Sequence, residues 1–286
     1  KIGLIGKKID LTYDYEHLSE DINYLNKIMN NDSEFCKTLN NSKKALIILG
    51  NSVLNYNDGV DILNISCEIA KKFKIETENF NGFNVLQQDI SKVGAIELGF
   101  YNKEFSKDFS TNIKKHITKF KPVVFLLGLD EINPEILKNS FVIYLGHHGD
   151  ISAQYADIIL PTPAYTEKSS TYINMEGRVL QTTKCYHPIG QSKEEWKIFR
   201  ALSEEFSNKL SFNNLLELRK DILINFPITK EINILPNISK LDFNSDNKIE
   251  SRKFDYNIEN FYKTDVISRS SITMSNCSQE ILRKSF

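Results

Sequence analysis

Three groups of residues in this 286-residue chain have types that could do chemistry. His147-His148-Gly149-Asp150, with Cys185 and His187 further on, offers zinc-ligating side chains. Zinc takes three or four convergent ligands, and neighbours in an extended segment point to opposite sides. The spacing therefore favours loop histidines bonded to backbone over a metal centre. Glu167, Glu176 and Arg178 could make an acid/base set, but two carboxylates with one arginine more often form an ion-pair network that pins a loop. The third group is the set of short turns that follow apolar segments. Gly50-Asn51-Ser52, Gly128-Leu129-Asp130, Gly146-His147-His148 and Pro161-Thr162-Pro163 would all lie along one rim of a parallel sheet, where such folds bind ligands. Phosphate loops are missing from that rim. Gly3-Leu4-Ile5-Gly6 has two glycines at the wrong spacing for G-x-G-x-x-G, and G-x-x-x-x-G-K-[ST] does not occur. Neither a G-x-S-x-G elbow nor a Ser-His-Asp order is present, and Cys185 is expected on an ordinary strand or turn.

The elements that must position these groups follow from apolar patterning. Ala45–Leu49, Val123–Leu127, Phe141–Leu145 and Asp157–Leu160 are continuous apolar runs of strand length, the pattern of parallel strands covered on both faces. Lys1–Ile5 is a possible fifth. Glycines at 50, 128 and 146 allow tight exits. A helix is expected from Asp58 to about Phe73, with Ile62, Ile65, Ile69 and Phe73 on one face. Others are expected near Asn84–Lys92 and Asn112–Lys119. Ser192-Lys193-Glu194-Glu195 has the form of a capping box, before a helix lined by Trp196, Phe199, Leu202 and Phe206. One more helix should run from Asn214 to Asn225, with Leu215, Leu218 and Ile222 inward and Pro227 as its stop. Beyond it, Asn244–Asn247 and Ser268–Ser278 have loop-like composition. This tail, with Phe254, Tyr256, Phe261 and Tyr262 as spaced anchors, either lies over another surface or is partly disordered. The division is thus residues 1–190 (α/β), 191–226 (helical) and 227–286 (extended tail).

Composition sets outer limits. Hydrophobic residues make up 41% and charged residues 26%, an ordinary globular balance able to supply a core. The formal net charge is −1, which gives no basic face for nucleic acid; Lys114-Lys115 fits a solvated helix face. No apolar run approaches the ~20 residues that span a bilayer. Cys36, Cys67, Cys185 and Cys277 are scattered without a C-x-x-C pair, so they fit buried thiols in a reducing compartment rather than a cluster or zinc set. Heavy use of Asn, Ile and Lys hints at an AT-rich genome. The start at Lys1 suggests a processed or incomplete chain, or one piece of a larger protein.

A resemblance then enters through particular residues. Ala156-Asp157-Ile158-Ile159-Leu160-Pro161, followed by Glu167, Ser170-Thr171, Asn174, Glu176-Gly177-Arg178 and Gln181, resembles the C-terminal part of the molybdopterin-oxidoreductase fold. It departs at Ser170, where those enzymes tend to have glycine. The branch in the largest iron–sulfur subunit of respiratory complex I looks closer. AYTEKSSTYIN at Ala164–Asn174, GHHGD at Gly146–Asp150, EEWKIFRALSE at Glu194–Glu204, DLTYDYEHL at Asp10–Leu18 and FYKTDVISRSSITM at Phe261–Met274 are all similar to it.

The resemblance implies a partial molybdopterin-oxidoreductase-like α/β domain with a Rossmann-like parallel sheet, then helices and an extended C-terminal tail. It implies a non-catalytic structural part of complex I, with no catalytic residue and no cofactor or metal in this chain. Glu167, Thr171, Asn174, Glu176 and Arg178 would be organisers of a vestigial rim loop, fixed by ion pairing and side chain–backbone bonds. Iron–sulfur clusters would lie in a partner chain carrying the N-terminal part of the same subunit, or in sequence outside this chain. Other matrix-arm subunits would be neighbours, on the matrix side of the mitochondrial inner membrane, with neither a direct span nor nucleic acid. The alternative is an active molybdopterin-dependent oxidoreductase domain, and a third reading is a free-standing nucleotide-binding module.

Overall fold

The computed structural model describes residues 1–77, 80–100, 121–226, 231–236, 248–254 and 260–282. The chain divides into two units. The first comprises Lys1–Val93, Ile173–Arg178 and Ile234–Asn257; the second comprises Gly94–Tyr172, Val179–Asn233 and Ile258–Phe286.

In the first unit the apolar segment at the start forms β1 (Gly3–Ile5), parallel to β2 (Glu16–Ser19). Two short helices follow, α1 (Tyr24–Met29) and α2 (Phe35–Asn40). Next come β3 (Ile47–Gly50) and α3 (Gly59–Lys72), then β4 (Glu76–Thr77), β5 (Phe80–Asn81) and β6 (Phe83–Leu86). β3 and β6 pair in parallel, while β4 and β5 pair antiparallel. α3 forms as its pattern predicts: Ile62, Ile65, Ile69 and Phe73 are buried in one core with Leu25, Ile28 and Leu39. Each such side chain contributes about 2 kcal/mol. Asp58 stands at the N-cap but makes no side-chain cap bond. Its carboxylate instead pairs with Arg252 and accepts from Glu250 N–H at 2.9 Å.

The expected helix over Asn84–Lys92 is corrected. Phe83–Leu86 is strand β6, and a helix, α4 (Lys92–Glu97), begins only where that reading ended. Pairing with β3 decides the matter, because Phe83 and Val85 alternate toward the core at period two. The expected helix over Asn112–Lys119 lies outside the described residues.

The second unit holds β7 (Val123–Leu127), β8 (Phe141–Gly146) and β9 (Ile158–Pro161), a parallel sheet in that order. Leu126, Ile132, Leu137, Val142 and Tyr144 form its core. β10 (Thr171–Ile173) and β11 (Val179–Gln181) make a two-stranded sheet. The helices are α5 (Glu195–Leu202), α6 (Leu215–Asn225), α7 (Val266–Ser270) and α8 (Ile272–Leu282).

α6 forms where expected, and Asn214 caps it, its Oδ1 accepting from Glu217 N–H at 2.9 Å; Leu215, Leu218 and Ile222 are half-buried. Pro227 lies outside the described residues. α5 starts three residues after the expected cap. Ser192 Oγ donates back to Ile189 O at 2.8 Å, and Glu195 pairs with Lys168 instead of closing a capping box. Trp196 and Phe199 do face inward, against Phe212 and Phe125 with ring centroids 6.2 and 5.7 Å apart, but Leu202 and Phe206 are exposed. The stretch Ser268–Ser278, loop-like in composition, is helical on both sides of Ser271: Asp265 caps α7 by accepting from Ile267 and Ser268 N–H at 2.8 and 3.0 Å.

Double-sided coverage of the strands is also corrected. Ile48 in β3 is 61% exposed, and Val123 and Leu127, on one face of β7, are 56% and 52% exposed. Part of one face of each parallel sheet therefore lacks cover among the described residues, although Leu145, on the same face as Val123, is fully buried. No described helix is long and apolar enough to cross a membrane.

Candidate functional site

The carboxyl ends of β7, β8 and β9 form a shared rim. Parallel register sets Leu127 beside Leu145 and Gly146 beside Pro161. Gly128 N–H donates to Leu145 O at 2.8 Å and Thr162 N–H to Gly146 O at 2.9 Å, so the loops after all three strands leave together. Gly128 has φ +57°, which glycine adopts without strain. A Cβ at Gly146 would collide with the Tyr144 ring. Gly50-Asn51-Ser52, expected on the same rim, is not part of it. β3 pairs with β6 in the first unit and not with this sheet.

Tyr144 is buried beneath the rim. Its hydroxyl donates to the Asp130 carboxylate and lies 2.9 Å from His148 O. Burial, then the hydrogen bond and charge of Asp130, push the phenol's pKa up. Ser152, fully buried, accepts from Ile132 N–H at 3.1 Å, and Asp150 Oδ1 accepts from Ile151 N–H at 2.9 Å. Asp157 Oδ2 accepts from Val142 N–H at 2.7 Å. Arg269, from α7, completes the group: its guanidinium pairs with Glu131 after β7 and with Asp150 Oδ2 after β8, the latter at 2.5 Å.

His147 and His148 do not point apart as expected. β8 ends at Gly146, so the pair sits in the bend beyond the strand, with Nδ1 atoms 2.6 Å apart and rings nearly perpendicular at 88°. One nitrogen must donate and the other accept, so at least one ring is neutral. Burial, then His148 and Lys168, hold His147 below the ordinary histidine range against opposing pulls from Asp130 and Glu195. Among the described residues no three His, Cys, Asp or Glu side chains converge as a metal set.

The five residues expected to organise the rim loop are separated by the fold. Asn174, Glu176 and Arg178 meet at the turn between β10 and β11. Asn174 Oδ1 accepts from Glu176 and Arg178 N–H, each at 3.0 Å, and Asn174 Nδ2 donates to Glu176 Oε2 at 3.2 Å. Arg178 Nε lies 3.5 Å from Glu176 Oε2. Gly177 turns the chain at φ +80°. Glu167 works elsewhere: its Oε2 accepts from Ala164 N–H at 3.0 Å, closing the short turn after β9. Thr171 is a half-buried β10 residue, and no described hydrogen bond uses its side chain.

Sequence reasoning missed Thr182, whose Oγ1 accepts from Ser170 N–H at 3.0 Å, and Ser169, whose Oγ accepts from Lys184 N–H at 3.1 Å. It also missed Asp130, Tyr144, Ser152 and Arg269. Arg269 lies within a quoted stretch, but nothing in its spacing points to partners more than a hundred residues earlier. Cys36 and Cys67 are buried and Cys185 is exposed. Burial raises the Cys67 thiol to about 11, which keeps it protonated at neutral pH.

A three-stranded parallel sheet whose rim loops pack on its own carboxyl edge defines an α/β protein of Rossmann-like type. Residues 1–205 match the family model described as Molybdopterin oxidoreductase, and the chain belongs to that family. Residues 236–277 match a second model, that of the NADH-ubiquinone oxidoreductase G C-terminal region. The chain is 39% identical over 96% of its length to the NADH-ubiquinone oxidoreductase 75 kDa subunit of Reclinomonas americana, covering 40% of that protein. It is 38% identical to the mitochondrial NADH-ubiquinone oxidoreductase 78 kDa subunit of Neurospora crassa, over 97% of this chain and 37% of the relative. It is 37% identical to the mitochondrial 78 kDa subunit of Candida albicans, over 97% of this chain and 38% of the relative. The chain thus spans about two fifths of the length of these curated relatives.

The family name implies a pterin carrying anionic phosphate. The rim of the second unit does not fit such a group. Ile132, Ile151, Thr162 and Ala164 already donate their N–H groups within the protein. The rim side chains include Asp130, Glu131 and Asp150, and the guanidinium of Arg269 is held between two of those carboxylates. An anion would meet like charge where it needs donors.

Proposed function

We propose that this chain is a non-catalytic structural part of a complex I-type NADH:ubiquinone oxidoreductase, supporting the iron–sulfur arm that carries electrons from NADH to quinone. Its place would be the matrix side of the mitochondrial inner membrane. Its partners would be polypeptide bearing the N-terminal iron–sulfur part and other matrix-arm subunits, and clusters would reside there rather than here. The names of the relatives support the assembly. The observation that carries the architectural role is the exposed apolar patch on one face of each parallel sheet, at Ile48 in one unit and at Val123 and Leu127 in the other. Apolar faces of this kind mark packing surfaces. Within that role, Asn174, Glu176 and Arg178 order the β10–β11 turn, Glu167 the turn after β9, and Thr171 the β10 strand. The division 1–190, 191–226 and 227–286 is our reading of the domain organisation.

Purification of the native chain from membranes, with identification of what accompanies it, tests the proposal. Iron–sulfur and NADH-oxidising partners in fixed ratio are expected, and a solitary chain would overturn it. The alternative, an active molybdopterin enzyme, is favoured by the family match alone. Stoichiometric molybdenum in the purified particle would establish it.

A further inference from the structure

We infer that the outer face of α6 docks an amphipathic helix from another polypeptide, whose apolar stripe covers Leu216, Leu223 and Ile224 and whose carboxylate pairs with Arg219. The inference names a partner for the assembly role proposed above and rests on that role.

Successive side chains of α6 are turned about 100° from one another around its axis. Leu215, Leu218 and Ile222 take one side, and each is half-buried. In rotational order the adjoining strip runs Arg219, Leu223, Leu216, Lys220, Ile224. Burial falls away along it. Arg219 and Leu223 are half-buried, whereas Leu216 is 65% and Ile224 77% exposed. A surface helix carries one apolar stripe and a polar remainder, and a helix apolar on more than one side belongs between two layers. Leu216 and Ile224 stand about 12 Å apart along the axis, so the open part of the strip is as long as two helical turns.

Charge is the second observation. Nε and Nη2 of the Arg219 guanidinium are shut off from solvent and have no hydrogen-bond partner. A charged donor in that state is destabilising until an acceptor reaches it. The strip holds two cations, Arg219 and Lys220, and no acid. Both acids of α6, Glu217 and Asp221, lie on the flank beyond Ile224, and Glu217 is engaged at the cap, accepting from Asn213 N–H at 2.7 Å.

The chemistry of the occupant follows. Covering apolar residues that recur every three or four positions calls for a helix with the same spacing. A guanidinium is best met by a carboxylate, which can accept two of its donors at once. An anionic membrane would need a cluster of about four to eight cations, more than the strip offers. A second copy docking through the same face would set like charges against each other.

Two measurements on the native assembly test this. With a photo-cross-linking residue replacing the exposed Ile224, the captured peptide should come from another polypeptide. It should carry an Asp or Glu among apolar residues at helical spacing. Arg219→Glu should then lower retention of that polypeptide during purification by roughly tenfold or more, and replacing the captured carboxylate with lysine should restore it. Restoration separates a lost pairing from a misfolded variant. A cross-link to lipid, to a second copy or to this chain's own residues would overturn the inference, as would no cross-link at all. Unchanged retention in Arg219→Glu, or a loss that the lysine exchange leaves unrepaired, would do the same. These failures leave the other subunits present, whereas failure of the assembly role leaves the chain purifying alone.

Discussion

Arg269 Nε lies 2.5 Å from Asp150 Oδ2, and the same guanidinium meets Glu131. One side chain from near the C-terminus thus joins the loops that leave two adjacent parallel strands. A planar fork suits this bridging, because its donors are fixed in direction and always charged. The loops at the rim where related folds hold small molecules are here tied together by a residue of the protein's own α7.

Replacing Arg269 with alanine should free α7 and leave two carboxylates facing each other. The loss should be about 2 kcal/mol or less, since Glu131 is largely exposed. Faster proteolysis within residues 266–282 and a lowered melting temperature would register it. Arg269→Lys should recover part of the loss, because a point charge reaches one carboxylate well but not both. Unchanged proteolysis in the alanine variant would show that the bridge is idle.

Asn174→Ala should destabilise the β10–β11 turn by roughly 1–3 kcal/mol, since one oxygen serves two N–H groups. Gly177→Ala should add to that cost. Its φ of +80° disfavours a side chain, and the new Cβ would lie 2.8 Å from Pro236 Cγ. Thermal unfolding of each variant is the check, and a neutral Asn174→Ala would remove the turn from the account.

Arg178→Ala should lower the yield of assembled complex while leaving turnover per assembled complex unchanged. This follows from its place beside Glu176 in a turn and not at a reacting group. A drop in turnover at constant yield would contradict the structural role.

Tyr144→Phe should cost about 1–3 kcal/mol, because Asp130 and His148 O lose a buried donor. The raised phenol pKa carries a further consequence. The unfolded chain releases this proton near pH 10 and the folded chain does not, so the contribution fades as pH rises above 10. Spectrophotometric titration should find one tyrosine that ionises only on unfolding, and its absence from the phenylalanine variant would assign it.

His147 governs the acid side. Its folded pKa lies below 6.5, chiefly through burial and then His148, so below 6.5 the unfolded chain binds a proton that the folded chain refuses. Stability should fall as pH drops from 6.5 through the lowered value, and should be level in this respect above it. His147→Gln should flatten that part of the profile. An identical slope in the variant would assign the dependence to other groups.

The strands were legible because β7, β8 and β9 are unbroken apolar runs, and α3 because four bulky residues recur on one helical face. Phe83–Leu86 misled because a short apolar segment suits helix or strand equally, and only hydrogen bonding to β3 settles it. Serine-rich α7 and α8 have no apolar stripe of their own to announce them. Asn174, Glu176 and Arg178 could be read as a loop-pinning set because their partners lie within four residues along the chain.

What the sequence determined by itself was thus local: which segments prefer to be strands or helices, and the polar turn between β10 and β11. The tertiary structure alone decided which strands share a sheet, which faces stay open, and that Arg269 joins two of the rim loops. Apolar periodicity encodes how a segment hides from water next to itself. It holds no information about a partner more than a hundred residues away, since that contact exists only once the intervening chain has folded.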